Sequence, residues 1–430
     1  MEKYVNVIGA GLAGCEASYQ LAKRHIKVKL YEMKKEKKSP AHKSDLFSEL
    51  VCSNSFRSDD IHNAVGLLKE ELRMLDSLIL RAADETKVLA GSSLAVDRDL
   101  FSKYITDEIR NNPYIEVIDK EVTEIMDGYV ILATGPLTSD LLSEKLADFL
   151  GTDYLYFFDA AAPIITASSI DYNKVFLKSR YDKGEPAYLN CPFTKEEFEA
   201  WYKELISADV VTPKDFEFKV FEGCMPFEEM AKRGEKTLLF GPMKPMGLTF
   251  NGVKPYAVCQ LRSENQERTL FNIVGFQTHL TFSAQKKIIQ MIPGLEKANI
   301  VRYGVMHRNT FINAPLTINE YYQTRKREDL FIAGQLSGVE GYVESTASGL
   351  VAGINMAKLF NGEPLIKFPV ESAIGIHAHY ISHAESETFQ PMNINFGIFT
   401  PLNFDVKKTN RKEKYVERAL DAIKKIQEVI

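Results

Sequence analysis

No stretch of this 430-residue sequence stays apolar long enough to cross a bilayer, because charged or polar residues interrupt every candidate before the roughly 18 residues a spanning helix needs. A membrane protein is therefore not expected. Cysteine is scarce: Cys15, Cys52, Cys191, Cys224 and Cys259 are five, scattered, with no Cys-x-x-Cys and no Cys/His spacing suited to zinc. That argues against a disulfide-stapled scaffold or a metal site and predicts free thiols in a reducing compartment. Positive charge is not in excess either. A formal net charge of −5 means that any nucleic-acid surface must be a local patch. Internal repeats and low-complexity tracts are also missing. The opening residues Met1-Glu2-Lys3-Tyr4 lead straight into a strand pattern rather than an export signal, so a cytoplasmic location is expected.

What is present is ample core material: 45% hydrophobic and 26% charged residues in a length that suggests two or more structural units. Residues 5–8 read as a buried strand, 12–24 as a helix of small and apolar residues, and 26–31 as a second strand, a βαβ opening. The charged run 34–38 reads as a solvated loop with surface lysines. A helix is expected over 66–80, with Leu67, Leu68, Leu72 and Leu75 on one face, another over 99–110, and a very apolar strand within 128–135. From about 170 to 303 the pattern changes to short alternating segments punctuated by Pro and Gly, with one helix over 195–206. The strand 330–333 and the small-residue helix 349–360 then return to the first pattern, and the last twenty residues form an amphipathic helix. The expected organisation is a first domain over 1–169, an inserted α+β domain over 170–303, and completion of the first domain over 304–430.

Gly9-Ala10-Gly11-Leu12-Ala13-Gly14 follows the first strand and opens the first helix, and Glu32 ends the second strand. This is the spacing of a dinucleotide site. Gly9 permits the turn, Gly11 lets backbone approach a pyrophosphate, Gly14 lets helix and strand pack, and the helix N-terminus faces the phosphate charge. Glu32 is placed to accept hydrogen bonds from the adenosine ribose. A glycine pattern alone also fits a tight strand-helix turn with no ligand. Val130-Ile131-Leu132-Ala133-Thr134-Gly135 and Leu330-Phe331-Ile332-Ala333-Gly334 resemble the second and third motifs of glutathione-reductase-like flavoproteins. That resemblance implies FAD on a Rossmann-type α/β domain, with Thr134, Gly135, Gly334 and Gln335 beside it. Gln335 departs from the aspartate usual there, and no second Gly-x-Gly-x-x-Gly marks a separate nicotinamide domain.

Further strings make a narrower resemblance. Leu50-Val51-Cys52-Ser53-Asn54-Ser55-Phe56-Arg57-Ser58, Leu94-Ala95-Val96-Asp97-Arg98, Tyr188-Leu189-Asn190-Cys191-Pro192 and Phe221-Glu222-Gly223-Cys224-Met225-Pro226 are similar to motifs of the folate- and FAD-dependent tRNA uracil-5 methyltransferases. So are Phe240-Gly241-Pro242-Met243-Lys244-Pro245, Gly275-Phe276-Gln277-Thr278-His279-Leu280, Arg308-Asn309-Thr310-Phe311-Ile312 and the run from Gly334-Gln335 through Gly341-Tyr342-Val343-Glu344-Ser345. Together they span nearly the whole chain. The sequence also stops without the long carboxy-terminal extension of related flavoproteins that modify wobble uridines.

Membership of that family implies methylation of uracil carbon 5 in RNA. The carbon comes from 5,10-methylenetetrahydrofolate, with FAD as carrier and NAD(P)H as reductant. Carbon 5 of uracil is a poor nucleophile until a thiolate adds to carbon 6. The resemblance assigns that thiolate to Cys224, with Cys52 as partner, protecting Cys224 or moving the carbon 5 proton. His279 and Tyr342 are candidates for placing the folate, although His279 also fits a hydrogen-bonded structural histidine. Cys15, Cys191 and Cys259 read as small buried residues. Phosphate contacts are expected from Arg233, Lys244, Lys254, Arg262, Arg302, Arg308, residues 325–327 and residues 407–414, each of which also fits a cation that only solvates a surface. tRNA, through its T-loop uridine, is the expected partner, with ribosomal RNA as the alternative. A flavin disulfide reductase and a non-catalytic RNA-binding flavoprotein are the readings outside this chemistry.

Overall fold

A computed structural model describes residues 3–39, 41–151, 155–160, 162–182, 185–211, 225–304, 306–387, 389–402, 407 and 410–430. Its centre is a five-stranded, all-parallel sheet. The strands lie in the order Leu330–Ile332, Val130–Leu132, Val5–Ile8, Val28–Tyr31, Ile115–Ile118. Their side chains are almost wholly apolar and most are fully buried, as expected of a parallel sheet covered on both faces. The helix Leu12–Lys23 follows the first strand, and the helix Tyr342–Phe360 crosses it in close contact. The approach depends on missing side chains: a Cβ on Gly349 would stand 2.3 Å from the Ala13 carbonyl oxygen, and one on Gly353 2.8 Å from that of Ala17. The fold class, a glutathione-reductase-like α/β domain carrying an inserted α+β unit, is the one expected.

The insertion is a second structure with its own core. Six antiparallel strands run in the order Phe176–Leu177, Tyr188–Phe193, Ala257–Ser263, Leu270–Ile273, Ile164–Thr166, Ile300–Arg302. Leu189, Cys191, Cys259 and Leu261 point from one sheet face into a cluster with Phe198, Trp201 and Phe227 that is separate from the core of the parallel sheet. The strand Ile164–Thr166 places the start of this sheet a few residues ahead of residue 170. A two-stranded ribbon, Leu155–Ala160 with Met306–Phe311, carries the chain in and out.

Two local expectations change. The single helix read over 66–80 is two helices, Ala64–Met74 and Leu78–Glu85. Asp76 takes a left-handed conformation at φ 56°, and Ser77 caps the second helix by accepting the Leu80 N–H at 3.2 Å, a stop that leucine periodicity does not reveal. Lys34, read as a surface lysine, is buried: its ammonium donates to the Leu46 carbonyl and stands 3.9 Å from Glu49. Among the described residues no helix is long and apolar enough to cross a membrane, and no group of three His, Cys, Asp or Glu could hold a metal.

Candidate active site

One cleft, with roughly 1100 Å³ of non-atom space partly open to solvent, runs along the carboxyl ends of the parallel strands. Gly9 through Ala13, Glu32, Thr134, Gly135, Gly334, Gln335 and Tyr342 all border it. Four strand ends and the start of the helix Tyr342–Phe360 deliver these residues, the usual ligand position in open α/β sheets. A second, more open cleft lies between residues 87–95 and 263–268. No residue of the dinucleotide motifs borders it, so the site belongs to the first.

The three motif glycines serve different ends. Gly9 has φ +100°, and a Cβ there would lie 2.6 Å from the Ala133 carbonyl oxygen, so both backbone and packing demand glycine. A Cβ on Gly14 would stand 1.8 Å from the Gly9 carbonyl oxygen, which only the bare helix-strand contact tolerates. Gly11 has neither reason. It caps the helix in an extended conformation with φ −79°, and a Cβ would meet nothing within 4 Å. The space kept clear lies in the cleft, over the first N–H groups of the helix, where a pyrophosphate fits. Glu32, buried at the next strand end, accepts the Ala10 N–H at 2.9 Å and the Lys34 N–H at 3.0 Å. Each carboxylate oxygen retains acceptor capacity for a ribose hydroxyl. Gln335 donates to Glu340 at 2.8 Å, Gly334 N–H donates to Ser348 at 2.7 Å, and the Thr134 and Thr138 hydroxyls pair at 2.6 Å. The residues present fit a flavin dinucleotide.

The loop carrying Cys52 meets this cleft at Val51, and side chains from both structural units hold it. Tyr342 lines the cleft while its hydroxyl accepts the backbone N–H groups of Cys52 at 2.9 Å and Ser53 at 3.2 Å. Burial pushes its phenol above the usual range, so it stays neutral. Arg98 donates to the Leu50 and Cys52 carbonyls and pairs with the buried Glu264 at 2.5 Å. Arg262 reaches from the inserted sheet to Asn54 at 3.0 Å and Ser53 at 2.8 Å, and Arg302 reaches Val51 O at 2.6 Å. Lys69, with no exposed side chain, donates to the carbonyls of Phe56, Arg57 and Ser58 at 3.0, 3.3 and 2.6 Å. Burial lowers its pKa to about 8. Side chains from elsewhere thus satisfy many of the segment's carbonyls and N–H groups, beside its own serines and the pairing of Ser55–Ser58 with Ser93–Val96.

Two cations grouped in the sequence as phosphate contacts are thus committed inward, and two more are tied to carbonyls nearer the surface. Arg262 and Arg302 hold the Cys52 loop, and burial lowers the pKa of each guanidinium. Lys326 donates to Phe149 O and Leu150 O, and Arg327 pairs with Asp329 while donating to Gly128 O. Nothing in the local spacing marks Lys69 or Glu264, while Asn54 lies within the string Leu50–Ser58. Arg98 lay within a motif string, which is the signal that could have found it.

Cys224 lies outside the described residues, as does the Arg308 side chain. His279 does not border the cleft. It is buried in the inserted unit, its Nδ1 2.7 Å from Glu228 Oε1, whose oxygen also accepts the His279 backbone N–H at 2.7 Å. Glu228 and Phe227 open the helix Phe227–Lys232, and Phe227 N–H donates to Gln277 O at 2.7 Å. The pairing fastens the segment that begins just after Cys224. Cys15, Cys191 and Cys259 are fully buried, and burial raises their thiols, to about 12 for Cys15 and Cys259, which leaves them inert.

Comparison with known proteins adds to this geometry. The profile of the family described as glucose inhibited division protein A matches residues 4–364. Relatives from Bacillus subtilis, 59% identical over 433 residues, and Bacillus licheniformis, 58% identical over 434, cover 100% of this chain and 100% of their own. Both are described as methylenetetrahydrofolate–tRNA-(uracil-5-)-methyltransferase TrmFO. The chain belongs to the TrmFO family. Its likeness to Aquifex aeolicus GidA, at 17% identity and a TM-score of 0.72, covers 98% of this chain and 73% of that one, and shows that TrmFO and GidA share a fold.

Proposed function

We propose that this chain methylates carbon 5 of a tRNA uridine, the T-loop uridine, using 5,10-methylenetetrahydrofolate as carbon donor, FAD as cofactor and NAD(P)H as reductant, in the cytoplasm. The observation that carries the reading is the opening of a flavin-type cradle and the Cys52 loop into one cleft. It occurs in a chain 59% identical, end to end, to a protein named for this reaction. When bound, FAD supplies one-carbon carriage and hydride. The chain's own groups do the rest. The Cys224 thiolate adds to carbon 6 of uracil and drives its electron pair toward carbon 5, which then takes up the one-carbon unit. Cys52, its backbone fixed by Tyr342 and Arg98, receives the carbon 5 proton, and expulsion of the Cys224 thiolate restores the ring double bond. Glu228 and His279 position the chain leading out of Cys224. Of the candidates raised from sequence, ribosomal RNA gives way to tRNA because the relatives' names specify tRNA.

The test supplies labelled methylenetetrahydrofolate, NADH and unmodified tRNA transcript to the wild-type protein and to Cys224→Ala. Label at carbon 5 of a uridine with wild type, and none with the variant, is expected. Label that never reaches uracil removes the reading, and disulfide turnover in its absence would favour a reductase.

A further inference from the structure

The inserted sheet has one apolar face and one polar face, and the polar face leads out of the active site. Side chains two apart on a strand share a face about 7 Å apart. Arg262, which holds Ser53, therefore stands beside Gln260, and the register pairs these with Tyr188 and Asn190 on the next strand. Gln260 donates to Asn190 at 2.8 Å and accepts from Arg180 at 3.0 Å. Arg180 in turn donates to the carbonyls of Lys244 and Met246. A continuous polar ladder thus runs from the Cys52 loop to the loop after the helix Glu235–Phe240 and fixes that loop's backbone.

The outer end of the ladder is a lip of exposed aromatic and apolar side chains. Phe240 is 79% exposed, Tyr181 55% and Met246 44%. Tyr181 N–H donates to Gly247 O, and a Cβ on Gly247 would come 2.9 Å from the Tyr181 ring. The Lys254 ammonium lies 3.3 Å from the Met246 sulfur. Exposed rings and thioethers cost solvation and are kept where something covers them. Charge indicates what does. Between residues 232 and 256 stand five cations, Lys232, Arg233, Lys236, Lys244 and Lys254, against one carboxylate, Glu235, in a chain whose net charge is −5; Lys232 is paired with Glu229 just ahead of this segment, and Lys244 and Lys254 flank Met246 in the sequence. Glu235 is itself engaged by the Tyr256 hydroxyl at 2.5 Å.

We propose that this lip is the RNA-stacking platform of the enzyme: Tyr181, Phe240 and Met246 take unstacked bases of the RNA loop, while Lys244 and Lys254 take the adjoining phosphates. Resting on the functional reading above, it locates the RNA on the inserted unit rather than on the carboxy-terminal helix. Bases splayed from an RNA loop are recognised in this way, by stacking beside cations, and a uridine extruded toward the cleft leaves neighbours that need such a surface.

The test measures equilibrium binding of unmodified tRNA transcript across salt, with FAD-loaded protein. The variants are Phe240→Ala with Met246→Ala, and Lys244→Gln with Lys254→Gln. NADH-driven flavin reduction without RNA, which these surface residues do not touch, serves as the folding control and should be unchanged. The apolar pair should weaken binding about 10-fold or more without altering its salt slope. The lysine pair should weaken binding and flatten the slope by about two phosphate contacts. Unchanged tRNA affinity in both variants overturns the platform, as does a change in oligomeric state with affinity intact, which would make the lip a contact between copies of this chain. Wild-type protein that binds no tRNA would instead sink the functional reading, so the two failures are distinguishable.

Discussion

Two loops face the cleft and are built on opposite plans. The glycine loop is shaped by absent side chains: Gly9 and Gly14 let backbone touch backbone, and Gly11 keeps space open for a ligand. The Cys52 loop is shaped by side chains from elsewhere, with Arg98, Arg302, Lys69 and Tyr342 satisfying its backbone and Arg262 holding the Ser53 and Asn54 side chains. The first can be built from one contiguous segment. The second draws on both units, because Arg262 and Arg302 come from the inserted sheet while Arg98, Lys69 and Tyr342 do not. Cofactor retention and methyl transfer should therefore respond to different mutations.

The largest effect is expected from Gly14→Ala, whose methyl would overlap the Gly9 carbonyl. Purified variant should be colourless or unfolded, read by flavin absorbance and circular dichroism. Arg98→Ala comes next, since it strands the buried Glu264 carboxylate and frees two loop carbonyls. Breaking such a pair costs about 3–5 kcal/mol, so Tm should fall and methyl transfer should drop on the order of 100-fold or more, while refolded material keeps its flavin. If Arg98→Ala lost flavin and methylation in equal measure, the separation of the two loops would be wrong. Tyr342→Phe removes a single oxygen and orphans two N–H groups, at about 1–3 kcal/mol. Folate-dependent methylation should fall about 10-fold or more with FAD affinity little changed.

The smallest effect lies behind the Cys52 loop, on the helix Ala64–Met74 that also carries Lys69. Glu71 is buried and accepts the Ala373 and Ile374 N–H groups at 2.6 and 2.8 Å, capping the helix Ala373–His383. Burial raises its pKa to about 8 from 4.5. The folded state therefore holds this proton more tightly than the unfolded chain. The resulting stability is fully present below about pH 4.5 and is lost as pH rises through 8. Wild-type Tm should decline from pH 5 to pH 8 more steeply than that of Glu71→Gln, and parallel curves would remove Glu71 as the cause.

The same contrast explains what the sequence disclosed. The glycine loop, Glu32 and the apolar strands were legible because their signals are local: fixed spacings within one βαβ segment and unbroken apolar runs. The helix Lys195–Ile206 was legible for the same reason, and its capping box at Thr194 and Glu197 confirms the start. The break at Asp76 and Ser77 was not, since the leucines continue through it in both helices. Nor was the inward commitment of Lys34, Arg262 and Arg302: a cation's immediate neighbours do not say whether oxygens beyond the next turn, as for Lys34 with Leu46, or far along the chain, as for Arg262 with Asn54 and Arg302 with Val51, will surround it. The Cys52 loop was found through its likeness to a known motif, and the side chains that hold it became visible only when distant strands were brought together.

Gly11 is glycine for the cofactor's sake and for nothing in the protein, since a Cβ there would meet no atom within 4 Å. Titrating FAD into cofactor-stripped wild type and Gly11→Ala, with Tm measured on the same stripped samples, tests it most directly. Equal stability of the two stripped proteins, with FAD binding at least about 10-fold weaker in the variant, is predicted. Equal FAD affinity in the two would contradict it.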